Sequence, residues 1–234
     1  MKVKSRLTFS VIGMFVIVIS TILIFGLITM LQQFIFAPDD FILTVFKSQA
    51  FSVIILYEVY LIIGLFYLFW GPAYGSVKES RHPSFWKKHR KKLVPIFISS
   101  NVVLFYYILT SVIVITDTKI IDHSFFTPSG KEYAYTDIVH IETGVYGKGF
   151  SFYSKKKGDF YYILHFKDNV AIDITDVGQT KNHVHEIFLI EELDETFVQL
   201  GVPKTAFPEN FVYVTEHLGK QYTDSIKKVI ENVK

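Results

Sequence analysis

The sequence predicts a membrane α-helical domain of three transmembrane helices joined to a small α+β domain that ends in helices. Three observations predict it. Long apolar runs, Leu7–Leu31, Phe51–Trp70 and Val94–Thr116, are confined to the first half of the 234 residues. A short basic segment, Arg81–Lys92, separates the second run from the third. From Asp117 the pattern changes to short apolar stretches broken by Gly, Pro, Asp and Asn, the composition of strands and turns.

Each run is long enough to cross a hydrocarbon core, which takes about 20 residues. Leu7–Leu31 carries no charge and follows Lys2, Lys4 and Arg6. A cleaved signal peptide shares that basic start. Its apolar core is shorter, however, and ends at small residues, whereas this run leaves through Phe34-Ile35-Phe36-Ala37. Gly71-Pro72 stops the second run, because proline lacks the backbone donor and glycine is costly inside a helix. Pro95 lies in the first turn of the third, where proline is tolerated.

Charge sets the expected orientation. Residues 1–116 hold eleven Lys or Arg against four Asp or Glu. Ten of the eleven lie in Met1–Arg6 or Lys78–Lys92. Basic residues flanking spans stay in the cytoplasm, so the N-terminus and second loop are expected inside and residues 117–234 outside the cell membrane. The apolar segment Gln32–Gln49 is expected in the outer interface, and Phe66, Tyr67, Phe69, Trp70, Phe85 and Trp86 in an inner aromatic belt.

Polar residues inside the runs are few. Glu58 lies near the middle of the second, flanked by Tyr57 and Tyr60, and centring the antiparallel second and third runs puts it level with Tyr106 and Tyr107. Two readings stand. Glu58, with Tyr107, is a proton or cation site, or it is a neutral, hydrogen-bonded acid that ties helices together. The second is the simpler, since one acid among three helices gives no translocation path. Ser99, Ser100 and Asn101 read as interhelical hydrogen bonders.

The second half is expected to hold strands at Lys119–Asp122, Ser124–Thr127, Glu132–Tyr135, Ile138–Tyr146, Phe150–Ser154, Phe160–Phe166 and Val170–Ile174. A helix follows near His183–Leu200, stopped by Gly201 and Pro203. Phe211–Val214 reads as a further strand and Thr223–Val233 as a final helix.

These residues carry a resemblance. Lys119-Ile120-Ile121, Tyr135-Thr136-Asp137-Ile138-Val139-His140-Ile141 and Tyr162–Ile174 with its Lys167-Asp168-Asn169 turn resemble the bacterial PH-like domains of small membrane proteins. The likeness covers Thr116–Gly201. It implies a partly open seven-stranded PH-like barrel capped by a helix, serving binding or assembly, with no enzyme activity. The expected domains are thus 1–116 in the membrane, 117–201 PH-like, and 202–234 a C-terminal extension with a helix.

Chemistry-bearing patterns are sparse. Cysteine is absent, which excludes disulfides and thiolate zinc sites. His183 and His185 point apart on a helix, and His140 and His165 are distant in sequence, so no metal or other cofactor is expected. No Gly-x-Ser-x-Gly or phosphate-loop spacing occurs. Lys155-Lys156-Lys157 at a hairpin tip reads as an anion or partner contact, or as a solvated turn. Glu191, Glu192, Asp194 and Glu195 read as an exposed acidic helix face. The second half has thirteen Lys, no Arg and eighteen Asp or Glu, a poor balance for nucleic acid. The expected partners are the lipid bilayer and a protein or a second copy. The alternative is an accessory subunit of a transporter or proton-coupled system built on Glu58.

Overall fold

The computed structural model describes residues 2–47, 50, 52–60, 62, 85–148 and 156–233. They form a mixed α/β protein with two sheets. Two compact units divide it: Met1–Gln32 with Gln49–Thr110, and Gln33–Ser48 with Ser111–Lys234.

The first unit is helical. Helix α1 spans Lys2–Phe36. It stops before Pro38, which disfavours helical backbone at Ala37. Within it Val18–Phe36 is long and apolar enough to cross a membrane, and only 11% of that window is buried. A second helical stretch, α2, covers 52–60. Helix α3 runs Phe85–Thr110.

This architecture corrects the three-span expectation. Among the described residues α1 alone is long and apolar enough to span; the apolar part of α3 is the shorter Ile98–Thr110. The predicted third span fails because its last residues, Val112–Thr116, leave the helix and form strand β2. All five are β-branched, which favours pleated backbone, yet hydropathy alone reads them as a continuation of the helix. Of the predicted span Phe51–Trp70 only 52–60 and 62 lie within the described residues. The Phe66–Trp70 aromatics lie outside them.

The second unit is the α/β unit. Strand β1, Phe41–Phe46, precedes β2 in sequence by a whole helical unit, yet pairs with it antiparallel from Phe41↔Thr116 to Phe46↔Val112. Strand β3 is Lys119–Asp122, β4 Lys131–Ala134, β5 Ile138–Val145, β6 Phe160–Phe166, β7 Ala171–Asp173 and β8 Val177–Thr180. Helix α4 is Glu186–Gln199, β9 Lys204–Phe207, α5 Val212–Thr215 and α6 Lys220–Glu231. One sheet has the order β4-β3-β2-β1-β8 and the other β7-β6-β5-β9.

The predicted seven-stranded PH-like barrel is therefore replaced by two sheets of five and four strands. Four of the strands, β1, β2, β8 and β9, were not expected. Gln32–Gln49 is no interfacial loop: its strand β1 lies between β2 and β8. Ser124–Thr127 is a turn rather than a strand, and Phe211–Val214 overlaps helix α5. The predicted strand Phe150–Ser154 lies outside the described residues.

Packing follows from alternation and one helix stripe. Leu43, Ile115, Ile141, Leu164 and Ile190 are all fully buried in one core. Helix α4 adds Leu193 and Phe197 to it. Its end is set by Gly201 at φ +79°, with Gly201 N–H donating to Val198 and Val202 N–H to Phe197. That Schellman geometry favours glycine, because any side chain is strained at positive φ. The turn lets the chain return as β9, which runs parallel to β5, Ile141↔Lys204 to Gly144↔Phe207. A parallel neighbour needs a crossover, and the β6–β8 strands and α4 supply it. A smaller cluster, Val145, Ile187, Val214, Ile226 and Ile230, packs α6 against α4 and β5.

Candidate functional site

A polar knot lies inside the α/β unit. Asp194 of α4 is 1% exposed. One carboxylate oxygen accepts from the Lys204 ammonium of β9 and from the Tyr162 hydroxyl of β6 at 2.7 Å. The other accepts from the Asn232 amide at 2.8 Å. Lys204 also donates to the carbonyls of Val229 and Asn232. Burial pushes Lys204 below the ordinary lysine value, partly offset by Asp194. Burial and the neighbouring carboxylate push Tyr162 up. Asp194 thus does not belong to an exposed acidic face. The Asp194 carboxylate and the Lys204 ammonium are both engaged by neighbours within the unit, so the knot works as a tie that docks β9 and α6. Glu191, beside it on α4, pairs with Lys228 of α6 at 2.6 Å.

The residues that carried the family likeness are also ties. Asp137 accepts from Ala134 N–H at 3.0 Å and from Lys167 at 2.9 Å. Asp168 accepts from Lys131 at 2.5 Å and the Tyr133 hydroxyl at 2.9 Å. They hold the β4–β5 corner to the β6–β7 turn.

The predicted basic contact is only partly within reach. Lys155 lies outside the described residues. Lys156 uses its backbone N–H to bond Asp159 at 2.6 Å, closing the turn. Lys157 sits over the Tyr213 ring of α5, Nζ 3.5 Å from its centre, so its charge is engaged within the unit. Gly158 at φ +92° makes the turn, and a Cβ there would meet the Tyr213 carbonyl at 3.1 Å.

In the helical unit Glu58 is buried and accepts a hydrogen bond from the Thr21 hydroxyl of α1. Tyr57 and Tyr60 pair with ring centres 6.2 Å apart, and Tyr107 is half-buried in α3. Thr21 went unnoticed in the sequence because a lone Thr in an apolar run carries no signal of its own.

The α/β unit also carries a surface cleft and an aromatic patch. The cleft, of about 120 Å³, is lined by Ile42, Asp117, Tyr135, Leu189, Glu192 and Thr196. Its Tyr135 hydroxyl is already committed to the Thr116 carbonyl. Among the described residues no group of three or more His, Cys, Asp or Glu could hold a metal. The second feature is an aromatic patch where α4 and α6 begin. His185 accepts from Ile187 N–H and so caps α4. Its ring stacks on Tyr222 at 4.2 Å, and Phe188 lies 5.7 Å from the same Tyr222. Phe188 and Val184 remain more than a third exposed. No family model, characterised protein or solved structure matches this chain. Aromatic side chains are enriched at protein interfaces relative to the rest of a protein surface. Helical spacing places Ile187, Leu193 and Phe197 on the buried side of α4 but also Val184, Phe188 and Leu200, which are exposed, and it could not bring Tyr222 beside the helix, since the two meet only after β9 has crossed back.

Buried histidine chemistry lies elsewhere. His123, just after β3, is 5% exposed. Its Nδ1 bonds the Pro128 carbonyl at 2.9 Å and its ring lies 4.6 Å from Phe36. Its Nε2 is buried with no hydrogen-bond partner among the described residues. Burial pushes His123 below the ordinary imidazole value; the Pro128 bond and Asp122 oppose this, and Lys47 adds to it. The fold thus prefers the neutral ring. Because the native pKa is the lower one, the unfolded chain binds the proton more readily. Stability is complete above the ordinary imidazole pKa and is lost as pH falls toward the native value. The melting temperature is expected to be lower at pH about 5.5 than at about 7.5, and His123→Gln should shrink that difference. An unchanged pH dependence in His123→Gln would show that other groups cause it.

Proposed function

We propose that this chain is a membrane-anchored binding protein. Helix α1 is the anchor, and the α/β unit captures a protein, or a second copy, through the His185–Phe188–Tyr222 patch rather than performing catalysis. The observation that carries the anchor is α1 itself: Phe15, Ile22, Leu23, Leu27, Met30 and Phe34 stand largely exposed along an apolar helix. In water such a surface is costly, whereas in lipid it is solvated. Lys2, Lys4 and Arg6 at its start favour a cytoplasmic N-terminus, with the α/β unit emerging across the cell membrane.

Its position near the N-terminus also allows α1 to be a signal sequence. Intact-mass measurement on the membrane-bound protein separates the two. An anchor keeps Lys2–Arg6 and stays in membranes washed with alkaline carbonate. A shortened, released chain would end the anchor reading. Binding is tested by placing the photo-crosslinker benzoyl-phenylalanine at Phe188 of the full chain in its native membranes. A discrete adduct is expected, its mass telling a second copy from another protein. Adduct formation no greater than with the probe at exposed Glu132 would count against the patch.

The Thr21–Glu58 bond supports the helix-tying reading of Glu58.

A further inference from the structure

We propose that the turn between β3 and β4, tipped by Phe125 and Phe126, dips into the lipid surface beside the end of α1 and seats the α/β unit against the bilayer. The inference rests on α1 being a membrane span.

Phe126 is 90% exposed, the highest value of any large apolar side chain in the described residues. It is nevertheless held on a rigid turn. Ser124 and Thr127 exchange both backbone hydrogen bonds at 3.2 Å, and their hydroxyls meet at 2.6 Å. Phe125 packs edge-on to Phe126, ring centres 5.1 Å apart. The far side of the turn is braced by His123 on the Pro128 carbonyl. Gly130, at φ +86°, closes it where a Cβ would meet Ile121 at 2.4 Å. A large apolar ring held rigidly in water gains nothing there, but at a lipid interface an aromatic side chain is favourable.

Strand direction says which end of the sheet the turn occupies. Phe46 is opposite Val112, and Ile113 is opposite Asp122. The turn after Asp122 therefore lies at the Phe46–Val112 end, and His123 N–H bonds the Val112 carbonyl at 3.0 Å. Phe36, the last residue of the candidate span, lies against His123 at that same end. The exit of the span and the Phe125–Phe126 turn are thus neighbours. Lys47 sits there too, paired with Asp122 at 2.5 Å. The β2–β3 turn at Asp117 and Thr118 is at the opposite end.

The cysteine-free chain permits a direct test. Full-length Phe126→Cys, Thr118→Cys and Leu23→Cys proteins are labelled with bimane and reconstituted in phosphatidylcholine–phosphatidylglycerol vesicles. The label at 126 should be quenched by a lipid-attached nitroxide and lose access to aqueous iodide. The label at 118 should stay open to iodide. Iodide quenching at 126 as free as at 118, with 23 still shielded, would overturn the inference and leave the anchor standing. Free iodide access at 23 would overturn both.

Discussion

Replacing Leu43 by alanine is expected to destabilise the α/β unit by about 2–5 kcal/mol, the cost of emptying a fully buried leucine site. Leu43 is 0% exposed and lies in a strand flanked on both sides, opposite Ile115 of β2 and Thr180 of β8. Its side chain joins the core shared with Ile115, Leu164 and Ile190. The same residue in an interfacial loop would lose little, since surface substitutions stay within about 0.5 kcal/mol. Urea unfolding of the full chain in detergent, followed by near-ultraviolet dichroism of the tyrosines, distinguishes the two. Leu43→Asp should go further and prevent the unit from folding, because an unpaired carboxylate would enter the core. A Leu43→Ala loss below about 1 kcal/mol would mean that β1 is not a central strand.

Lys204→Met should cost about 3–5 kcal/mol, because it leaves Asp194 as a buried charge without its cation. Tyr162 and Asn232 would still donate to the carboxylate but cannot neutralise it. The Val229 and Asn232 carbonyls would lose their donor as well. Removing both charges, as Asp194→Leu with Lys204→Met, should recover the part of the loss due to the unpaired charge, while Tyr162, Asn232 and the Val229 carbonyl stay without their partners. The coupling between the two substitutions is the decisive quantity, read from the same unfolding curves as a double-mutant cycle. Additive effects would mean that Lys204 and Asp194 act apart. Large coupling would make residues 202–234 an integral part of the unit, since Lys204 and Asn232 both come from that segment.

Much of the α/β unit was legible wherever neighbours in sequence set the structure. The strands at Lys119–Asp122, Ile138–Val145 and Phe160–Phe166 show apolar runs bounded by turn residues. The Lys167-Asp168-Asn169 turn and the Gly201 stop of α4 were equally plain. These depend on local backbone preference and on alternation within a few residues. The candidate site was barely legible. Glu58 stood out as a lone acid, but its partner Thr21 did not. Asp194 looked like one more surface acid, since nothing near it in the chain announces Lys204, Tyr162 or Asn232. Lys157 looked free because Tyr213 comes to it only through the fold.

By itself the sequence determined that α1 is an apolar helix of membrane-spanning length, that its start is basic, and that short strands and two amphipathic helices fill the second half. Tertiary structure alone decided that Val112–Thr116 is a strand rather than the end of a span, and that Phe41–Phe46 belongs to the same sheet. It also decided that the final segment is locked into the core. The reason is physical. An apolar β-branched run is equally content in lipid or between two strands, and only the partners brought from far along the chain decide which environment receives it.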